Sequence, residues 1–155
     1  MSRAPGGGGA SDGAFELVEG ATSDLAFVAR GATPEAVFAA AAEALLAVTV
    51  EDPGQLGTRE RRQVVLEEPA LDLLLLRWLN ELVFLRDAEG LLLRAERIGL
   101  GTGAGAGSWR LEAELAGEPI GPSHRLLADV KAATAHGLWM GRTGQGWEAR
   151  VTLDV

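Results

Sequence analysis

The chain has 155 residues, enough for one domain with a sizeable apolar core and no need of covalent staples. It contains no cysteine, which excludes disulfides, thiolate metal sites and cysteine nucleophiles and fits a reducing, cytoplasmic setting. With 22 Asp and Glu against 14 Lys and Arg the net charge is -8, so no direct nucleic-acid binding is expected, because neutralising phosphates takes clustered cations, and no apolar run is long enough to suggest a membrane span.

Residues 1–13 are mostly Gly, Ser, Ala and Pro, the composition of a disordered tail, and residues 14–155 form a single domain. FELVE at 15–19 and DLAFVAR at 24–30 read as two strands joined by a turn. Thr33 followed by Pro34 and Glu35 is a helix start: a hydroxyl cap, a proline in the first turn and a carboxylate at the positive end. That helix runs to about Thr49, and its many alanines let it sit close against a sheet. EDPGQLG at 51–57 is a turn, and RRQVVLEE at 61–68 is a strand ended by Pro69.

The stretch LDLLLLRWLNELVFLRDAEG at 71–90 is the second helix. Leu71, Leu74, Leu75, Trp78, Leu79 and Leu82 recur at helical spacing, while Leu73, Leu76, Val83 and Phe84 widen the apolar stripe almost around the cylinder. Pro69 suits the first turn, Asp72 lies near the positive end, and Gly90 is the left-handed terminator. LLLRAERI at 91–98 resumes extended structure, GLGTGAGAGS at 99–108 reads as a flexible hairpin connector, and WRLEAELAG at 109–117 alternates as a strand. No helix and no lysine follow that glycine run, so it lacks the context of a nucleotide-binding loop. GEPIGPSHR at 117–125 is a turn, LLADVKAATAHGLWM at 126–140 supplies one or two strands, and GWEARVTLDV at 146–155 alternates as a terminal strand. The whole is an α+β fold, two helices packed on a mostly antiparallel sheet of about seven strands.

Asp24 opens one strand and Asp154 is the penultimate residue of another, on the parity opposite Trp147 and Leu153. If the two strands are antiparallel neighbours, Asp24, Asp154 and the α-carboxylate of Val155 converge, an all-oxygen set suited to Ca²⁺, Mg²⁺ or Mn²⁺. The ammonium of Lys131 must reach solvent or pair with a carboxylate such as Asp24 or Glu118, and His124 and His136 are not at metal-ligand spacing from one another. No serine elbow and no H-E-x-x-H occurs, so an enzyme reading has little support.

RWLNELVFLRDAEGLLL at 77–93, GEP at 117–119, VKAATAH at 130–136 and the terminal VTLDV, taken in this order, resemble the archease family over roughly residues 15–155. That resemblance implies an accessory protein, not itself catalytic, of the GTP-dependent 3'-phosphate RNA ligase of tRNA splicing, promoting its guanylylation and multiple turnover, with GTP used by the ligase. It implies a divalent metal on Asp24, Asp154 and Val155, with Lys131, Thr134 and His136 on the same functional face. The family's H-T-A-D motif is matched by Ala21, Thr22, Ser23 and Asp24, so its histidine is replaced, and Ala135 stands where the family has an aromatic. Two other readings are a metal-dependent phosphoester-processing enzyme using Asp24 and Asp154, and a chaperone-like protein-binding module.

Overall fold

The computed structural model describes residues 13–19 and 24–155; the expected tail at 1–13, apart from Gly13, and the motif residues Ala21, Thr22 and Ser23 lie outside the described residues. Among the described residues the elements run β1 (Ala14–Glu19), β2 (Leu25–Gly31), α1 (Pro34–Thr49), a 3₁₀ turn (Pro53–Gln55), β3 (Glu60–Glu68), α2 (Leu71–Glu89), β4 (Leu91–Thr102), β5 (Trp109–Pro119), β6 (Ala132–Thr143) and β7 (Gly146–Asp154). Every pairing is antiparallel, and the strands divide into two sheets, one in the order β1-β2-β7-β6 and one in the order β3-β5-β4. Both helices touch strands of both sheets.

That position explains α1. Thr33 caps it, its Oγ1 accepting the Ala36 N–H at 3.1 Å. Ala36, Ala39, Ala40, Ala41, Ala42 and Ala44 are buried together with Val37, Phe38 and Leu45, so the helix is covered almost all round. A helix apolar on every side belongs in a core, and methyl side chains let two sheets approach it. The segment after β5 closes its C-terminal end, where the Leu127 and Ala128 N–H groups donate to the Thr49 and Val48 carbonyls at 2.9 and 3.0 Å.

In α2, Leu74, Leu75, Trp78 and Leu79 are fully buried, each contributing about 1.5–3 kcal/mol of burial. The apolar stripe is narrower than its composition suggests, since Leu73 and Phe84 stay exposed at 43% and 55%. The Trp78 indole N–H, with no water to bond, donates to the Phe38 carbonyl of α1 at 3.1 Å. Pro69 stands before the cap residue Ala70 and not in the first turn, while the Asp72 carboxylate accepts the Leu73 N–H at 2.8 Å. Gly90 ends the helix at φ 68°, a left-handed conformation that favours glycine.

The glycine run gives a shorter connector than expected. β4 continues through Thr102, leaving a tight loop whose Gly103 N–H donates to the Ser108 carbonyl at 3.0 Å. Glu67 of β3 organises it, accepting the Gly105 N–H at 3.1 Å and the Ser108 hydroxyl at 2.8 Å. The Gly105 N–H and then the Ser108 hydroxyl hold the Glu67 carboxyl below its ordinary range. A carboxyl whose folded pKa is depressed stabilises above its unfolded pKa and loses that contribution as pH falls through the folded value. The Gly105 amide should therefore be protected from hydrogen exchange at neutral pH, lose protection in acid below the usual carboxylate range, and lose it at every pH in Glu67→Ala.

Candidate functional site

The register of β2 on β7 pairs Leu25 with Leu153. Asp24 lies one residue beyond the last pair of this ladder, and continuing the antiparallel register by one step sets it opposite Asp154. Leu153 is fully buried, so alternation turns Asp154 out of the core; it is exposed, and Asp24 is half-buried beside it. On the other flank of β7, Ala132 of β6 pairs with Asp154, and the Lys131 N–H donates to the Asp154 carbonyl at 2.7 Å. Three segments far apart in sequence thus bring Asp24, Lys131, Asp154 and Val155 to one end of the four-stranded sheet.

Thr134 lies two rows further in, paired with Thr152, and its hydroxyl donates to the Thr152 carbonyl at 3.3 Å. The His136 N–H donates in turn to the Thr134 hydroxyl at 3.3 Å. Beyond it the register of β6 slips before Trp139, around Gly137 at φ 67°. His136 is exposed on this bulge, and among the described residues it makes no hydrogen bond to either carboxylate.

Among the described residues no group of three or more His, Cys, Asp or Glu side chains is placed to hold a metal ion. The side-chain donors at the end of β7 are two carboxylates. They are oxygen donors of the hard type, and two of them suit a cation that keeps much of its water, the habit of Mg²⁺, better than a closed protein cage.

The GEP segment serves a separate purpose. A side chain on Gly117 would run into the Leu92 carbonyl of β4, which is why glycine stands there. Glu118 accepts the Gly57 N–H at 3.1 Å and lies 2.6 Å from His124 Nε2, while His124 Nδ1 accepts the Gly121 N–H at 2.9 Å. Nδ1 being an acceptor, Nε2 carries the proton and donates to Glu118. That ring N–H first, then the Gly57 N–H, hold the Glu118 carboxyl below its ordinary range. His124 is thus a loop residue, and Glu118 is engaged by it and not by Lys131.

Two features of the site escape motif reading. Lys131 is the one lysine of the chain, every other side-chain cation being arginine, a contrast visible in the sequence. Its ammonium is a compact, strongly hydrated point charge, unlike the planar guanidinium of the arginines. The second is a contact between the two longest motifs: the Asn80 carboxamide donates to the Ala133 carbonyl at 3.0 Å and accepts the Ala133 N–H at 2.9 Å.

The sequence pattern of the archease protein family matches residues 15–155. The chain belongs to the archease family. The protein archease of Methanosarcina acetivorans is 33% identical over 138 residues, covering 86% of this chain and 91% of that one. That of Thermococcus gammatolerans is 33% identical over 136 residues, covering 86% and 94%. The solution structure of protein 1598 of Methanobacterium thermoautotrophicum superposes with a TM-score of 0.76 at 30% identity, covering 91% of this chain and 98% of that one. The crystal structure of an archease from Thermotoga maritima, described as a possible chaperone, shares the fold with a TM-score of 0.62 at 20% identity, covering 90% and 96%. No helix among the described residues of this archease is long and apolar enough to cross a membrane.

Because both aspartates of this archease stand at a strand end facing away from the core, neither should carry the fold. Asp24→Ala and Asp154→Asn are each expected to change unfolding free energy by no more than about 0.5 kcal/mol in urea denaturation; a larger loss would mark the residue as structural.

Proposed function

We propose that this archease is an accessory protein of a GTP-dependent 3'-phosphate RNA ligase of tRNA splicing, which it activates by promoting guanylylation and multiple turnover. The observation that supports this most is the placement of Asp24 beside Asp154 with Lys131 on the opposite flank of β7. Like charges directly opposite on neighbouring strands repel, so this pair calls for a positive group. Asp24 and Asp154, with the carboxylate oxygens of Val155, would hold a divalent cation, Mg²⁺, Mn²⁺ or Ca²⁺, and the cation would supply charge neutralisation at phosphate oxygens. Lys131 adds a second positive charge at the same end, and Thr134 and His136 border it.

In this reading the nucleotide chemistry belongs to the ligase, which uses GTP, and the archease presents its carboxylate end to the ligase's active site. The net charge of -8 supports docking on a basic RNA-binding surface, since opposite potentials speed encounter and favour the right partner. Ala21 in place of the family's histidine leaves the carboxylate pair in place, so the proposal requires that activation proceed without that imidazole.

The test is single- and multiple-turnover ligation with the cognate ligase, GTP and a divalent cation, with and without this protein. Wild type should raise guanylylation and sustain repeated turnover, while Asp24→Ala and Asp154→Asn should each remove at least about nine-tenths of the stimulation, a loss of about 1.4 kcal/mol or more. Equal ligation with and without the wild-type protein would refute the reading. Full stimulation by both variants would remove the carboxylate site from it.

A further inference from the structure

β6 is the last strand of its sheet, so backbone groups that it turns away from β7 have no strand to meet. At Ala133, which is only 4% exposed, these groups are nevertheless paired. The Asn80 carboxamide has the same donor and acceptor as a peptide group, and its bonds of 3.0 and 2.9 Å to the Ala133 carbonyl and N–H are those a neighbouring strand would make. Six residues further along α2, Arg86 donates from Nη2 to the Val130 carbonyl at 2.6 Å, its side chain 12% exposed. Between these two holds lies Lys131, whose N–H is bonded to the Asp154 carbonyl at 2.7 Å.

We propose that Asn80, assisted by Arg86, is a positioning residue: it stands in for a missing strand, keeps residues 130–133 on the end of β7, and so sets Lys131 relative to Asp154 and Asp24. What the positioned groups then do rests on the ligase-accessory reading; the holding does not. The geometry separates this role from plain packing. Leu79 and Leu82 carry the buried face of α2, whereas position 80 is half-buried. A leucine at 80 would keep the helix apolar yet leave both Ala133 groups unpaired, which loosens β6 locally and leaves the core of α2 in place.

Because Lys131 is the only lysine, labelling with ¹⁵N-lysine leaves one backbone amide signal, and its hydrogen exchange reports whether this segment stays on β7. The Phe27 amide, seen by separate ¹⁵N-phenylalanine labelling, reports the sheet interior. Asn80→Leu should speed Lys131 exchange at least about tenfold relative to Phe27, whereas Thr33→Ala, which weakens the distant cap of α1, should not separate the two. Asn80→Asp adds a signature that packing alone would not produce. Its ionised carboxylate can accept from the Ala133 N–H but opposes the carbonyl, while the protonated acid donates and accepts as the amide does. Its Lys131 protection factor should therefore recover between roughly pH 7 and pH 4.

Lys131 exchange unchanged in Asn80→Leu, or rising only in step with Phe27, overturns the proposal. If Asn80→Leu does not fold, Asn80→Asp decides, and the absence of recovery in acid overturns the proposal. With the ligase present, Asn80→Leu should lose most of the stimulation at temperatures well below its unfolding. A wild type that leaves the ligase unaffected, with Lys131 still freed by Asn80→Leu, would strike the ligase reading and leave the positioning role standing.

Discussion

The burial of α1 between two sheets is the constraint on which the rest of the structure depends. A helix in that position has little solvated side, so residues 36–42 are entirely apolar and mostly alanine, and all of them are buried. α2 completes the interior and is tied to α1 by Trp78, which is fully buried and bonded through its indole to the Phe38 carbonyl. Removing a buried tryptophan costs about 3–5 kcal/mol. Against a total stability of about 5–15 kcal/mol, this contact is one the fold can scarcely lose.

The same packing determines where polar groups gather. The row Leu25, Leu153 and Ala133 is still part of the core, and the next row outward carries Asp24, Asp154 and Ala132. The sheet thus passes from apolar interior to paired carboxylates within one residue, on strands whose spacing the core enforces. α2 contributes to both sides of that boundary. Its leucines and Trp78 face inward, and Asn80 and Arg86 reach the open edge of β6. A rigid interior and an exposed charged rim are the conditions under which a surface can present charge to a partner without rearranging first.

Much of this was legible in the residues. The Thr33-Pro34-Glu35 start, the Gly90 terminator and the alternation of Trp109 to Leu115 are local signals, and each gave the right element because short-range chemistry decides it. The division of seven strands into two sheets was not legible, because pairing is a long-range property and alternation says only that a strand has a buried face. The hydrogen bonds of the loop at 103–108 were hidden for a related reason: a glycine run carries no side-chain signal of its own, and the carboxylate that bonds it belongs to Glu67, far earlier in the chain. The leucine stripe of α2 overstated its burial at Leu73 and Phe84, since composition alone cannot say which flank of a helix a sheet reaches. For the site, the neighbouring of Asp24 and Asp154 follows from strand-end parity once the two strands are adjacent. The Asn80 contact does not, because nothing in a single sequence pairs a helix carboxamide with a strand backbone 53 residues away.

The proposed role of the carboxylate pair depends on whether the end of β7 binds a cation. Titrating Mn²⁺ into the ¹⁵N-labelled protein tests this directly, since the paramagnetic ion broadens only nearby amides. A cation site there should give broadening confined to Asp24, Lys131, Asp154, Val155 and their immediate neighbours, and lose it in an Asp24→Ala, Asp154→Asn double variant. Broadening centred elsewhere, or unchanged in the double variant, would contradict it.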